Sequence, residues 1–384
     1  MEMISKDIVL DCYSLWESCF GDTKAYMEFY FQNKVGKNEI FVMEEDGNVV
    51  SMVHLNPYVL QVNEKEWLAH YIVGVATNPE YRRRGYMGQL LREAMEFMYD
   101  KGEAFSYLMP AAYEIYAPYD FRYIYEQRRL KMQMELQDKS VMVPFVECKP
   151  YSKCSDREKE RLLSFVNDSL QKAFQVFAVR SEEYYERLAK EMKACGGDLL
   201  LLSSEEQIIG VVPYSVEEET LCFPELLIQP SYTKAILATM VDYVKNSQAV
   251  FHTITSLESY FVEIKQVEEL FKEVVEEQKP IIMARIIHAK QALALLRATK
   301  PLSLVIKVND KFLERNEGTY EIRVWESGCE VIETTKEEDL TLSADELTEL
   351  IFAYAPLPKV GNQELEVRLQ KLIRLSKCYI NEIV

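Results

Sequence analysis

The sequence predicts a mixed α/β (α+β) protein: two related units in tandem, then a smaller α+β unit. Three observations carry this. A strand that ends in Asn78-Pro-Glu-Tyr81 and feeds an amphipathic helix recurs as Gln229-Pro-Ser-Tyr232 before a second helix. Pro57-Tyr58 recurs as Pro213-Tyr214 at nearly the same separation. From Pro280 onward the pattern changes to a β meander followed by helices. The implied units are 1–150, 151–280 and 281–384, which suits a chain of 384 residues at about 150 residues per domain.

In the first unit, helical spacing around Leu15, Trp16, Phe20 and Tyr26 to Phe31 precedes strands at Ile40–Met43, Val49–Leu55 and Tyr58–Val62. Glu45-Asp-Gly47 is the hairpin turn. Leu68–Thr77 is a further strand, stopped by Asn78-Pro79. Over Gly85–Asp100, Leu90, Leu91, Ala94, Met95 and Met98 share one helical face, and Gly102 marks its end. Strands follow at Ala104–Pro110 and Arg128–Glu135. In the second unit, Gln207–Pro213 is the counterpart of Val49–Pro57. In the third, Ile281–Ile287 is a strand, Ala289–Arg297 a helix, and Leu302–Val308, Gly318–Trp325 and Glu330–Thr335 a meander. Ser343-Ala-Asp-Glu346 is a capping box opening a helix through Tyr354, and Gln363–Leu375 is the next helix. The last stretch, Tyr379–Val384, is too apolar for a solvated tail.

Composition narrows the function. Forty-four Lys and Arg against 62 Asp and Glu give a net charge of −18, which disfavours nucleic acid and anionic membrane surfaces as partners and suits cationic small molecules. The start lacks a basic segment followed by an apolar one, and no apolar run approaches the ~20 residues of a membrane helix, so a cytoplasmic protein is expected. None of the eight cysteines forms C-x-x-C, and the four histidines, His54, His70, His252 and His288, show no metal-ligand spacing; no metal site is expected.

The chemistry lies in Tyr71-Ile-Val-Gly-Val-Ala-Thr-Asn-Pro-Glu-Tyr-Arg-Arg-Arg-Gly-Tyr-Met-Gly88. A strand runs into a basic, glycine-containing turn that opens a helix. Unpaired first-turn N–H groups and the helix dipole bind anions there. Glycines let a pyrophosphate approach the backbone, and arginines add charge. In the second unit the corresponding stretch is Thr233-Lys-Ala-Ile236, so that copy has no such turn.

This stretch resembles motif A of the GNAT acyltransferases, and the whole chain resembles the enhanced intracellular survival (Eis) N-acetyltransferase family. The resemblance implies tandem GNAT folds, the second degenerate, a sterol-carrier-like C-terminal domain, acetyl-CoA as co-substrate and a homo-oligomer, a hexamer in that family. It implies that Val75, Ala76 and Thr77 pair with the pantetheine arm. Arg83, Arg84, Gly85, Tyr86, Met87 and Gly88 would form the pyrophosphate turn, and Ala111 and Ala112 would line the same site. Met87 stands where the wider GNAT pattern has a small residue, as in the Eis family. Within Tyr113-Glu-Ile-Tyr-Ala-Pro-Tyr119 the resemblance implies Tyr116 as the acid that protonates the leaving CoA thiolate; Tyr119 and Tyr113 are the other candidates. It also implies the terminal carboxylate of Val384 as the base that takes the proton of the acceptor ammonium. His54, His70, Glu114 and Asp120 are alternatives that folding could bring close.

The expected function is acetylation of primary amines on cationic, aminoglycoside- or polyamine-like small molecules, by direct transfer in a ternary complex. A protein-lysine acetyltransferase and a non-catalytic CoA- or lipid-binding protein are the alternatives.

Overall fold

The computed structural model describes residues 6–136, 144–357 and 360–382. Helices α1 (Lys6–Phe20) and α2 (Lys24–Asn33) precede the antiparallel strands β1 (Glu39–Glu45), β2 (Asn48–Val62) and β3 (Lys65–Thr77). Then come α3 (Tyr86–Asp100), β4 (Phe105–Leu108), the single turn α4 (Tyr113–Tyr116) and β5 (Arg122–Leu136). The chain continues through β6 (Glu147–Pro150), α5 (Asp156–Ala173), β7 (Val176–Ala178) and α6 (Glu182–Ala194). A second meander follows: β8 (Asp198–Ser204), β9 (Gln207–Glu217), β10 (Thr220–Phe223) and β11 (Leu227–Ile228). It leads to α7 (Thr233–Asn246), β12 (Thr253–Ser256), α8 (Ile264–Leu270) and β13 (Phe271–Ile286). The order of two helices, a meander, a helix, a strand, a short helix and a long strand repeats that of the first unit, with the added short strands β6 and β7 and a four-stranded meander.

Local chemistry explains the boundaries. Asp46 and Gly47 both take positive φ, 51° and 77°, as a two-residue hairpin matched to strand twist requires. Pro57 does not divide β2 as expected from the sequence. It lies opposite His70 on β3, beyond the reach of β1, which ends opposite Leu55, and before β7, which begins opposite Leu60. On that side no neighbour needs the missing N–H.

One sheet runs through both units, with the late strand β20 (Cys378–Tyr379) at one edge, in the order β20-β7-β2-β3-β4-β13-β5-β12-β10-β9-β8-β6. The last strands are exchanged. β13, from the second repeat, pairs with β4 of the first, while β5 pairs with β12. The units implied by sequence therefore share one sheet.

The third region comprises α9 (Ala289–Leu293), β14 (Arg297–Ala298), β15 (Leu302–Asn309), β16 (Gly318–Trp325), β17 (Gly328–Glu333), β18 (Leu340–Ser343) and α10 (Ala344–Ile351). It ends with α11 (Gln363–Leu369), β19 (Leu372–Ile373) and β20 (Cys378–Tyr379). Its four-stranded sheet has the order β17-β16-β15-β18. The Ser343/Glu346 capping box forms. The Gln363 helix stops at Leu369, short of Leu375, because Leu372 and Ile373 pair with β14 instead. Tyr71 and Tyr107 share a core with Ile306 and Leu347, so this region closes one face of the first unit while α3 closes the other. Among the described residues, no helix is long and apolar enough to cross a membrane, and no group of three His, Cys, Asp or Glu is placed to hold a metal.

Candidate active site

β3 and β4 run parallel but pair only at Tyr71–Tyr107. Beyond that point they splay, and the edge of β3 over Val75–Thr77 is left without a strand neighbour on the β4 side. The other edge is fixed by β2, where Ser51 Oγ donates to the Ala76 carbonyl at 2.9 Å and lies 2.8 Å from Thr77 Oγ1. Gly74, with φ +59°, forms the kink before this edge. A Cβ there would lie 2.6 Å from the Trp16 ring, so both the conformation and the space require glycine.

The splay opens into a cleft of about 560 Å³ lined by Val75, Ala76, Thr77, Arg83, Gly85, Tyr86, Met87, Gly88, Ala111 and Tyr116. These are ten of the cofactor and catalytic residues implied by the resemblance, brought together from β3, the turn into α3, α3 itself, and α4 with the residues before it. Cys19, Phe20, Tyr81, Arg82, Ile115 and Tyr119 complete the wall. The α1 residues Cys19 and Phe20 carry no motif and are placed there only by tertiary packing. Arg84 and Ala112 are not among the lining residues.

The turn is built locally. Asn78 Oδ1 accepts from the Glu80 N–H at 3.1 Å and nucleates a tight turn over Pro79–Tyr81. Arg82 Nε donates to the Thr77 carbonyl at 3.1 Å. Arg84 lies 4.6 Å over the Tyr81 ring and reaches the Glu80 carbonyl. Arg82 and Arg84 thus brace the turn. Arg83 has no hydrogen-bond partner among the described residues and sits at φ +64°. Gly85 caps α3 at φ +86° with no side-chain cap and no acidic residue in the first turn, so the first N–H groups of α3 face the cleft uncompensated. At Gly88 a Cβ would meet the Tyr119 hydroxyl at 3.1 Å; glycine lets Tyr119 lie against the helix.

Tyr116 is buried (7% exposed) with its ring edge-on to Phe121 at 6.0 Å. Burial pushes its phenol up to about 12. A raised pKa keeps the proton on, the state a general acid needs. Hence kcat should show no alkaline decline from this group below about pH 11, which a pH–rate profile checks. Of the other tyrosines, Tyr119 packs on Phe312 at 5.0 Å, and Tyr113 stacks on Tyr123 at 5.6 Å outside the cleft. The alternative bases are engaged elsewhere. His54 is buried among Trp16, Tyr30 and Phe31 and pushed down to about 3 by burial. His70 Nδ1 lies 2.6 Å from Glu103. Asp120 lies 3.5 Å from the Arg285 guanidinium, and Glu114 does not line the cleft.

The second repeat keeps the turn over Pro230–Tyr232, but α7 starts at once at Thr233 with no glycine cap. Its N-terminus is plugged: Lys234 N–H donates to Gln266 Oε1 at 3.0 Å. Titration with CoA should therefore give one site per chain, and Arg83→Glu should weaken that site by about tenfold or more, because the free charge at the turn is inverted. Calorimetry checks both.

Val384 lies outside the described residues. Among the described residues before it, β20 pairs with β7, and Ile380 and Glu382 are buried at 0% and 3% exposed. Arg180, itself buried, binds Glu382 and also Glu225, the latter at 3.2 Å. No short sequence pattern marked the Arg180–Glu225–Glu382 cluster, whose members come from three separate connecting segments.

Residues 2–124 match the acetyltransferase (GNAT) domain family, and residues 289–361 match the sterol carrier protein domain. No curated protein matches the sequence. A structure from Enterococcus faecalis described as a probable N-acyltransferase superposes with a TM-score of 0.73 at 17% identity, covering 97% of this chain and 93% of that one. A GCN5-related N-acetyltransferase from Kribbella flavida gives 0.73 at 16% identity, covering 99% and 97%. Eis1 from Mycobacterium abscessus gives 0.65 at 13%, covering 97% and 93%. At such identities these likenesses concern the fold. The chain therefore carries a GNAT acetyltransferase domain at residues 2–124 and a sterol carrier protein domain at 289–361, within a fold of tandem GNAT units; GNAT acetyltransferases use acetyl-CoA as co-substrate.

Proposed function

We propose that the chain is an Eis-like N-acetyltransferase that passes acetyl directly from acetyl-CoA to a primary amine within a ternary complex. The observation that supports this most is that one cleft gathers the open β3 edge, the anion-binding turn and the buried Tyr116. In this reading, Val75, Ala76 and Thr77 pair with the pantetheine amides. Arg83, Gly85, Tyr86, Met87 and Gly88 take the pyrophosphate, with Arg84 bracing the turn. Ala111 and Ala112 bound the far side by backbone and shape.

The amine nitrogen attacks the thioester carbonyl, the C–S bond breaks, and Tyr116 gives its proton to the departing thiolate. The carboxylate of Val384 takes the ammonium proton, directly or through a water; the buried Glu382 two residues earlier supports this placement. Residues 1–150 carry the chemistry, 151–280 serve as a degenerate scaffold, and 281–384 supply the tail. The chain acts as a homo-oligomer, a hexamer by the resemblance, in the cytoplasm. The acceptor is a small molecule that arrives as an ammonium, and aminoglycosides and polyamines are the acceptors the resemblance implies. A thiol-release assay with acetyl-CoA against a panel of amines tests this. Amine-dependent CoA release is expected, and CoA binding without turnover on any amine would overturn it.

A further inference from the structure

We infer that Arg285, with Phe312 beside it, is a positioning residue for the acetyl transfer: the two hold the loop that carries Tyr116. The inference rests on the acetyltransferase reading and adds to it two residues outside the GNAT domain match, Phe312 lying in the sterol carrier match.

The exchange of strands makes the support necessary. The chain leaves β4 at Leu108, opposite Met283 of β13, and re-enters the sheet on β5 at Arg122, opposite Ala284. Because β13 lies between β4 and β5, the loop of residues 109–121 crosses over it. Its internal bonds are few around Tyr116. Phe121 N–H donates to the Tyr116 carbonyl at 3.4 Å and Asp120 N–H to the Ala117 carbonyl at 3.1 Å, while Asp120 takes φ +64°. Such a conformation persists where the surroundings hold it. Arg122 braces the β5 side by donating to the Ala117 and Phe121 carbonyls.

Arg285 braces the loop from beneath. It stands on β13 beside the crossing and is 0% exposed. Its Nε donates to the Tyr119 carbonyl at 2.8 Å, Nη1 to the Ile286 carbonyl at 2.7 Å and Nη2 to Asp310 Oδ1 at 2.6 Å. Asp310, also 0% exposed, accepts in turn from the Phe312 and Leu313 N–H groups at 3.1 and 2.9 Å and from Asn316 Nδ2 at 3.0 Å. Directional bonds on all three sides fix the guanidinium, and with it the Tyr119 carbonyl. The same Asp310 turn brings Phe312 forward. Its ring meets Tyr119 edge-on at 5.0 Å, and Arg92 of α3 lies 4.4 Å over it and donates to its carbonyl. Tyr119 is thus held at its carbonyl by Arg285 and at its ring by Phe312, with its hydroxyl against Gly88. Tyr116, three residues earlier in the same folded loop, takes its place from that anchor.

Arg285→Met would strand the buried Asp310 carboxylate. The test therefore uses Arg285→Lys, which keeps a cation for Asp310 but lacks the planar fork that also reaches Tyr119, and Phe312→Leu, which leaves that ion pair intact. Each is made alone and in a Tyr116→Phe background. Made alone, Arg285→Lys should lower kcat about tenfold or more and Phe312→Leu about threefold, with chemistry limiting the rate and CoA affinity unchanged. In the Tyr116→Phe background both losses should vanish, because the group being positioned is gone; a merely structural defect would cost the same factor in both. Amide exchange over residues 113–121, read by mass spectrometry, should quicken in both variants. Unchanged kcat in Arg285→Lys, or the same loss in both backgrounds, would overturn the inference; where Arg285→Lys does not fold, those outcomes in Phe312→Leu would do so. No CoA release by the wild-type protein with any amine would overturn the acetyltransferase reading instead. The exchange measurement then still decides whether the loop is held, and unchanged exchange over 113–121 would count against it.

Discussion

Tyr116→Phe should lower kcat by 10²–10⁴-fold, the usual worth of a positioned general acid, while CoA affinity stays unchanged. The phenol proton is held by burial, which pushes the group up to about 12, and its hydroxyl has no hydrogen-bond partner among the described residues. Phe keeps the ring and its edge contact with Phe121, so the loss is confined to the proton donor. Rapid-mixing measurements that isolate the chemical step, beside CoA titration of the same variant, separate the two effects. If kcat stays above half of the wild-type value when chemistry limits the rate, Tyr116 is not the acid. Tyr119 would then be next, since it is the other tyrosine of the Tyr113–Tyr119 stretch that reaches the cleft.

Moving the terminal carboxylate should cost about 100-fold or more in kcat/KM, the scale expected when a reacting group is misplaced by more than an ångström. One added glycine displaces it by roughly 3.5 Å along an extended chain. The tail cannot slide to compensate, because Asn381 Nδ2 donates to the Pro224 carbonyl at 3.1 Å and Glu382 is held by Arg180. Deleting Val384 should be equally harmful, whereas an N-terminal tag should be tolerated. The comparison is among N-tagged, glycine-extended and Val384-deleted protein, each first shown to bind CoA. Equal activity in all three would assign the base to another group.

The engaged histidines sharpen this expectation. His54 is enclosed by aromatic rings and His70 is bound to Glu103, so neither is free to accept a proton in the cleft.

What the sequence by itself determined is local. Strand, turn and helix at Tyr71–Gly88 follow from residues adjacent in the chain: a β-prone run, Asn-Pro punctuation, and glycines at φ +59° and +86°. The five apolar residues predicted for one face of α3 are the five it buries. The lost turn of the second repeat was visible as Thr233–Ile236, although the Gln266 plug was not. Tertiary structure alone decided the rest. The exchange of β5 and β13 depends on which strand edges meet after both repeats form, and no local pattern encodes that pairing. Arg84 and Ala112 carry the motif yet stand outside the cleft, because bracing a turn and lining a cavity are separated only by side-chain direction. Arg180, Glu225 and Glu382 read as ordinary charged residues in sequence. Folding buries them together around one guanidinium, and burial there pushes the Glu225 carboxyl up.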